Sequence, residues 1–196
     1  HQILEDIGLV KMLPGMTVIV PCDYNQTKAA TIAVAEYGGP VYLRFGRPVW
    51  PIFTSATEPF VIGKAQQFAE GADVSIFACG HMVWKAIEAG KALAEKGIQA
   101  DIINIHTIKP LDTEAILKSI RKTKCAVTVE EHNIFGGLGD AVAHTASSSF
   151  PVPIEYVGTR DTFGESGTPV QLLGKYGLDT PNILEAVEKV MARKNA

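Results

Sequence analysis

The chain alternates short apolar runs with longer segments whose apolar residues recur at helical spacing. Runs such as Asp73–Cys79 consist mainly of apolar residues, which is typical of buried strands. A helix-like segment follows this run after Gly80 and ends at Gly97, because glycine commonly terminates helices. The same alternation continues along the chain and predicts an α/β fold, with a mainly parallel sheet of about five strands in a three-layer α/β/α domain.

The first 48 residues form a smaller pattern of their own. The predicted elements are a helix at Glu5–Leu13, a strand at Met16–Pro21, a helix that begins at Asp23 or Asn25 and runs to about Tyr37, and a strand at Val41–Phe45. Two strands and two helices do not bury a full sheet. We therefore expect this βαβ unit to be the remnant of a larger domain.

A proline-containing stretch without periodicity, Arg47–Pro59, predicts a linker, and its Trp50, Ile52 and Phe53 indicate that it packs against protein. A second pattern begins after it. It starts with a predicted entry hairpin at Phe60–Gly71. The predicted strands are Asp73–Cys79, Ala100–His106, Ala126–Val129 and Ile154–Val157. The predicted helices run from His81 to about Lys96, over Thr113–Thr123 with Thr113 as N-cap, from Asp140, over Thr168–Tyr176, and over Pro181–Lys194 with Thr180 as N-cap.

Composition narrows the class of protein. The 196 residues are 46% hydrophobic and 20% charged, as in a globular enzyme with a large interior. The formal net charge of -3 gives no basic surface for nucleic acid or anionic membranes. No apolar run is long enough to span a bilayer, so a cytoplasmic protein is expected. Three widely spaced cysteines, Cys22, Cys79 and Cys125, are predicted to be buried free thiols.

The stretch Cys125–His144 joins a predicted strand, a glycine turn and a helix. Such turns lie at the carboxyl ends of parallel strands, where ligands usually bind, and this places Glu130, Glu131 and His132 at that edge. The turn Gly136–Gly139 either holds a phosphate on the helix amides or serves only tight packing, and the missing dinucleotide fingerprint favours packing. The cluster lacks the second histidine or cysteine that a zinc site needs.

Other polar residues admit structural explanations. His81 follows a strand and a glycine and either meets a ligand or starts a helix. His106 precedes a proline-containing turn that needs no chemistry. Phe163–Gly167 lacks the glycine spacing of a nucleophile elbow and predicts a loop before a helix.

Arg44 lies in an otherwise apolar strand. Because an unpaired buried charge costs several kcal/mol, its guanidinium must find an anion. The sequence leaves two partners open, a structural carboxylate and a phosphate ligand.

Several runs, in the same order as in the family, together resemble the C-terminal part of transketolases across essentially the whole chain. These runs are His1–Asp6, Leu13–Ile19, Pro21–Asp23, Pro40–Arg44, Thr107–Asp112, Val129–Gly139, and Phe163–Gly167 followed by Leu172-Leu173 and Tyr176–Leu178.

This resemblance implies a homodimeric enzyme that uses thiamine diphosphate with Mg²⁺ or Ca²⁺ to move a two-carbon ketol unit between sugar phosphates. Residues 1–48 would end the pyrimidine-binding domain, 49–58 would be the linker, and 59–196 the C-terminal domain. His1 matches the family's donor-site histidine and is the expected catalytic residue. Arg44 matches the arginine that binds the sugar phosphate. The family's cofactor and metal sites lie upstream, so neither is expected to bind this chain alone.

We therefore expect this chain to be inactive by itself and to serve assembly with the remainder of a transketolase. One alternative is the same region of 1-deoxyxylulose-5-phosphate synthase or of a 2-oxoacid dehydrogenase β subunit. Another is a free-standing module that binds a nucleotide or a regulator at Gly136–Gly139.

Overall fold

The computed structural model describes residues 3–195, which form seven helices and eight strands. The helices are α1 (Asp6–Lys11), α2 (Tyr24–Ala35), α3 (Met82–Glu95), α4 (Thr113–Thr123), α5 (Leu138–Ser149), α6 (Pro169–Lys175) and α7 (Thr180–Lys194). The strands are β1 (Thr17–Ile19), β2 (Val41–Leu43), β3 (Gln66–Ala69), β4 (Val74–Ala78), β5 (Ala100–Asn104), β6 (Thr107–Lys109), β7 (Ala126–Asn133) and β8 (Ile154–Thr159).

The larger sheet has five strands in the order β3-β5-β4-β7-β8, and its pairings are parallel except that of the edge strand β3. Its two faces are covered by different helices. Apolar side chains of α3, α6 and α7 pack on one face, and those of α4 and α5 pack on the other. The three cysteines are free and buried. The predicted three-layer α/β/α arrangement with a mainly parallel sheet is confirmed.

A second sheet joins the beginning of the chain to its middle. Strands β1 and β2 are parallel and are connected by α2, as the predicted βαβ unit requires. The stretch Thr107–Lys109, predicted as a turn because Pro110 follows, instead forms β6 and pairs antiparallel with β1. Ile7, Val18 and Val20 share one core with α4 and α5. The division at residues 48 and 59 stays a prediction, but the two parts are packed as one body here.

The predicted linker does pack against protein, and Asp23 holds it in place. The carboxylate of Asp23 accepts hydrogen bonds from Gln26 N, where it caps α2, and from Phe53 N, Thr54 N and the Thr54 hydroxyl at 2.6–2.9 Å. The Phe53 ring contacts the rings of Phe68 and Trp84. Asp23 therefore starts a helix and fixes the linker with one side chain.

Several predicted boundaries are wrong. The entry hairpin is the single strand β3, which pairs with β5, and the predicted strand Ala100–His106 ends at Asn104. The N-caps of α4 and α7 are Asp112 and Asp179, one residue earlier than predicted, because each aspartate carboxylate accepts a backbone amide of its helix. Helix α6 has a capping box formed by Thr168 and Gln171, which the sequence reasoning did not predict.

Strand β7 continues four residues past its predicted end at Val129. Its pairing with β8 is regular up to Val129 and resumes at Asn133. Glu130, Glu131 and His132 consequently lie inside the strand, in an irregular stretch, and not in the turn after it. Helix α5 begins at Leu138, two residues before the predicted start at Asp140.

Within residues 3–195, no helix combines the length and apolar character that crossing a bilayer requires.

We predict that Asp23→Ala lowers the free energy of unfolding by about 3 kcal/mol, because a cap is lost and buried amides of the linker lose their acceptor. Urea denaturation measures the effect. The control is Thr168→Ala, which removes the exposed cap of α6 and should cost about 1 kcal/mol or less. Equal losses in the two variants would show that Asp23 does not fix the linker.

The carboxyl group of Asp23 should also make the stability of the protein depend on pH. Burial opposes its ionisation, but the hydrogen bonds from Gln26, Thr54 and Phe53 outweigh burial and lower the pKa of Asp23 below its ordinary value of 3.8. A lowered folded-state pKa stabilises the fold above the ordinary pKa, and this contribution is lost as the pH falls through the lowered value. The stability difference between wild type and Asp23→Asn should be constant from neutral pH to about pH 5 and shrink below about pH 4. A difference independent of pH in urea titrations would contradict this.

Candidate functional site

A cleft of about 610 Å³ opens where several strands end. Leu43 of β2, Glu131 of β7 and Thr159 of β8 line it, as does His81, which follows β4. These positions are at or near the carboxyl ends of their strands, the edge at which open α/β sheets bind ligands. The other wall comes from the loop and helix around Gly164 and Leu172. This cleft is the candidate functional site.

Arg44 lies in the floor of the cleft, with its side chain only 15% exposed. Its Nε donates to Asp6 Oδ2 at 3.0 Å, and its Nη2 donates to the carbonyl oxygen of Glu131 at 2.9 Å. A longer contact of 3.5 Å joins Nη1 to the Glu131 carboxylate. Although burial disfavours the charge, the carboxylates of Asp6 and Glu131 raise the pKa of Arg44. The guanidinium therefore pairs with carboxylates of the chain itself, which is one of the two kinds of partner that the sequence left open.

The two acids beside Arg44, Asp6 and Glu131, are affected by burial and by neighbouring groups. Tyr42 donates its hydroxyl to Asp6 Oδ2 at 2.7 Å, and burial together with this hydrogen bond raises the pKa of Tyr42 to about 12. Burial raises the pKa of Glu131, and Arg44 partly offsets that shift. The floor therefore holds one cation against two acids, which leaves it no surplus positive charge for a ligand's anion.

His81 is buried beside this network. Its ring stacks on Trp50 at 4.2 Å with an interplanar angle of 7°, and its Nδ1 lies 3.7 Å from the Glu131 carboxylate. Burial, with Arg44 and Lys85 nearby, lowers the pKa of His81 to about 3. The imidazole is therefore neutral at physiological pH and contributes no positive charge to the cleft.

Buried polar atoms without a partner concentrate at this cleft. Among residues 3–195, six buried side-chain atoms lack a hydrogen-bond partner, and four of them belong to residues that line the cleft. The four atoms are Asp6 Oδ1, Trp50 Nε1, His81 Nε2 and Thr159 Oγ1. Such atoms are rare in folded proteins and call for a functional or structural explanation. Their clustering distinguishes this cleft from the rest of the interior.

Arg47 is the functional candidate that sequence reasoning missed. It is exposed, lines the cleft, and makes no hydrogen bond or ion pair within the described part of the chain. The signal available in the sequence was a second arginine three residues after Arg44, but the neighbouring prolines assigned it to a linker. Of the two arginines in the cleft, Arg47 is the one with its donors available.

The glycine turn before α5 is closed to phosphate by a residue of the chain itself. Glu130 is buried, and its carboxylate accepts hydrogen bonds from Leu138 N at 2.6 Å and Gly139 N at 2.8 Å. A Cβ at Gly137 would overlap that carboxylate. Gly136 adopts φ 82°, which favours glycine. The packing interpretation of Gly136–Gly139 therefore holds, because the helix amides that a phosphate would use already bind Glu130.

The remaining candidates lie elsewhere. His106 is buried against Phe60 and lines a separate cavity of about 300 Å³. The loop Phe163–Gly167 precedes α6 as predicted and contributes Glu165 to the cleft wall, where Lys175 and Tyr176 bind that carboxylate. His1 lies outside the residues that the structure describes.

The described residues do not fit a metal or thiamine diphosphate site by themselves. Between Ile3 and Asn195, no group of three or more histidine, cysteine or acidic side chains is arranged to hold a metal ion. The backbone amides at the start of α5, the helix that follows the glycine turn, donate to Glu130.

Comparisons with known proteins give the family. The model of the family "Transketolase, C-terminal domain" matches residues 63–183, more than half of the chain. The 6-deoxy-6-sulfo-D-fructose transketolase subunit SqwH of Clostridium sp. strain MSTE9 is 42% identical over 100% of this chain and 61% of its own length. An apulose-4-phosphate transketolase subunit of Phocaeicola vulgatus is 40% identical over 96% of this chain and 62% of its own.

A solved structure agrees with these relatives. A split-gene transketolase, described as an inactive beta4 tetramer, is 44% identical with a TM-score of 0.95, over 98% of this chain and 63% of that chain. Several 1-deoxy-D-xylulose-5-phosphate synthases also match, at 33–37% identity. The chain spans about three fifths of the length of the transketolase relatives. It belongs to the transketolase C-terminal domain family.

Proposed function

We propose that this chain is the C-terminal section of a transketolase and that the intact enzyme transfers a two-carbon ketol unit between sugars with anionic end groups. The family match and two relatives named as transketolase subunits support this. One relative is named for a sulfonated sugar and the other for a sugar phosphate. Sugar phosphates are the substrates we propose for this protein.

Thiamine diphosphate with Mg²⁺ or Ca²⁺ is the proposed cofactor of the intact enzyme, and it supplies the carbanion stabilisation that ketol transfer needs. The resemblance assigns its binding residues to the cofactor-binding part of the enzyme, and we propose that this chain alone does not bind it. The diphosphate- and pyrimidine-binding parts of the enzyme are the proposed partners, in a cytoplasmic assembly built on a homodimer.

Within this section, His1 is the proposed catalytic residue, on the resemblance of the first six residues to the family. We propose different roles for two arginines near the sugar phosphate, a structural role for Arg44 and a binding role for Arg47. Arg44, the residue that the resemblance assigns to phosphate, keeps its carboxylate partners and shapes the floor. Arg47 binds the phosphate, because its guanidinium is exposed and has five donors suited to an anion.

The cleft itself suits such a ligand. Its volume of about 610 Å³ is within the range of small-ligand sites. Trp50 lines it and stacks on His81, so an aromatic surface lies beside its polar residues. The observation that carries the proposal is an arginine without a partner at the mouth of a polar cleft, in a chain of this family.

We predict that the 196-residue polypeptide alone, with thiamine diphosphate, Mg²⁺, a ketose phosphate donor and an aldose phosphate acceptor, shows no ketol transfer. Adding the cofactor-binding part of the same enzyme should restore turnover, because the two parts together form the cofactor site. A coupled assay of aldose phosphate release measures both states. Turnover by the isolated polypeptide would refute the assignment of the cofactor site to the other part.

We predict opposite effects for the two arginines. In the assembled enzyme, Arg47→Gln should raise KM for the phosphorylated substrate roughly 10- to 100-fold, with the unfolding midpoint unchanged, because a charge-assisted hydrogen bond is lost. Arg44→Gln should lower the free energy of unfolding by about 3 kcal/mol, because Asp6 loses its cation while buried. Steady-state kinetics and urea denaturation of both variants provide the comparison.

Each variant serves as the control of the other. If Arg44→Gln raises KM without loss of stability while Arg47→Gln leaves KM unchanged, Arg44 is the phosphate ligand and the roles proposed for the two arginines are wrong.

A further inference from the structure

A second cavity, of about 300 Å³, lies where the first part of the chain meets the larger sheet. Helix α2, the linker, the start of β3 and the turn between β5 and β6 all contribute residues to it. The polar side chains of Gln26, Gln66 and His106 line it together with the ring of Phe60. The proposed ketol transfer does not use this cavity.

The orientation of its glutamine side chains follows from one backbone amide. Cys22 N, which can only donate, lies 2.9 Å from Gln26 Oε1. Gln26 Nε2 therefore points toward Gln66 and donates to Gln66 Oε1 at 2.8 Å. Asn104 Nδ2 also donates to Gln26 Oε1, at 3.0 Å. Because its oxygen accepts these inner hydrogen bonds, Gln66 has its Nε2 left over, and that nitrogen makes no hydrogen bond within residues 3–195.

His106 supplies a second open group, although only 4% of the residue is exposed. Its Nδ1 forms a hydrogen bond of 3.0 Å with the hydroxyl of Thr107, and its ring centroid lies 4.2 Å from that of Phe60. Its Nε2 has no partner in the described part of the chain. Unlike His81 Nε2, it is not sealed from solvent, so it opens on the cavity that His106 lines. Burial lowers the pKa of His106 to about 4, and the ring is neutral at physiological pH.

The charged groups of this cavity lie at its rim. Among the described residues that line it, Glu58 and Lys64 carry charge, and both are exposed. Lys64 Nζ already lies 4.0 Å from the carboxylate of Asp112 and 3.9 Å from that of Glu114. The buried lining offers no charge to pair with an ion, and burying an unpaired charge is costly. An uncharged ligand therefore suits the cavity better than an anionic one.

We propose that this cavity binds a small uncharged nitrogen heterocycle of nucleobase size. Gln66 Nε2 donates to a carbonyl oxygen or ring nitrogen of the ligand, His106 Nε2 forms a hydrogen bond with a neighbouring ring atom, and Phe60 contacts the flat face. Bases carry donors and acceptors on one planar edge, which carboxamide side chains recognise. The volume suits a single small ligand. Because residues before and after the linker form the site, an occupant stabilises the packing between them.

The test titrates the 196-residue chain with adenine and uracil, and separately with their nucleoside monophosphates. Calorimetry measures the affinity, and the NMR signals of the His106 ring report the place of binding. We expect saturable binding of at least one free base with a shift of the His106 signals. Its nucleotide should bind at most about fivefold tighter, because exposed charges at the rim contribute little.

Two variants examine the role of Gln66. Gln66→Glu keeps the oxygen that accepts from Gln26 and replaces the open amide nitrogen with an oxygen. It should weaken binding at least about 10-fold, because the ligand loses a donor and meets a second acceptor. Gln99→Leu removes an exposed glutamine side chain outside the cavity and should leave the affinity unchanged.

Three results would overturn the inference. They are no saturable binding of either free base, whether or not the nucleotides bind; binding without a shift of the His106 signals; and equal affinity of the wild type and Gln66→Glu. The first two are measured on the wild type and decide the question even should Gln66→Glu fail to fold. The inference does not depend on ketol transfer, so an assembled enzyme without that activity would leave it standing.

Discussion

One largely buried guanidinium, that of Arg44, joins three elements of this protein. Arg44 connects β2, where it follows the last residue, to α1 through Asp6 and to β7 through Glu131. Removing a guanidinium and two carboxylates from water costs several kcal/mol per ion, and only close geometry with further hydrogen bonds compensates for that cost. Tyr42 and the carbonyl oxygen of Glu131 supply those hydrogen bonds. Because each partner lies on a different element, these contacts favour the arrangement in which all three elements meet at Arg44.

The contacts of Arg44 help to explain why the residues before the linker pack as part of the main body of the protein. Two parallel strands with one connecting helix would be marginal in water. Here β6 adds a third strand from a segment that belongs to the rest of the chain, and Ile7, Val18 and Val20 complete the core beneath α4 and α5. The Asp23 carboxylate fixes the intervening linker as well. The residues before and after the linker are therefore stabilised by each other.

The type and order of most elements were predictable from sequence because periodicity and terminating glycines, as in β4 and α3, are local signals. Features that depend on distant partners were missed. Pro110 indicated a turn, but pairing with β1 makes Thr107–Lys109 a strand. At the site, an arginine in an apolar strand correctly required an anion, but only the approach of α1 and β7 decides that Arg44, not Arg47, meets carboxylates. Helical spacing likewise gave no indication that His132 would cap a helix 124 positions earlier in the chain.

Most groups at this sheet edge that could bind an anion are already paired with acids of the protein itself. In open α/β sheets a ligand phosphate commonly binds helix amides or a cation at the carboxyl ends of the strands. Here Glu130 accepts hydrogen bonds from the backbone amides at the start of α5, and Asp6 and Glu131 form ion pairs with Arg44. Among the residues that line the described cleft, this leaves Arg47 at its mouth as the cation with unused donors. Under the proposed function, an anionic substrate would bind Arg47 by its end group, because the two acids of the floor outnumber its one cation and repel a second negative charge.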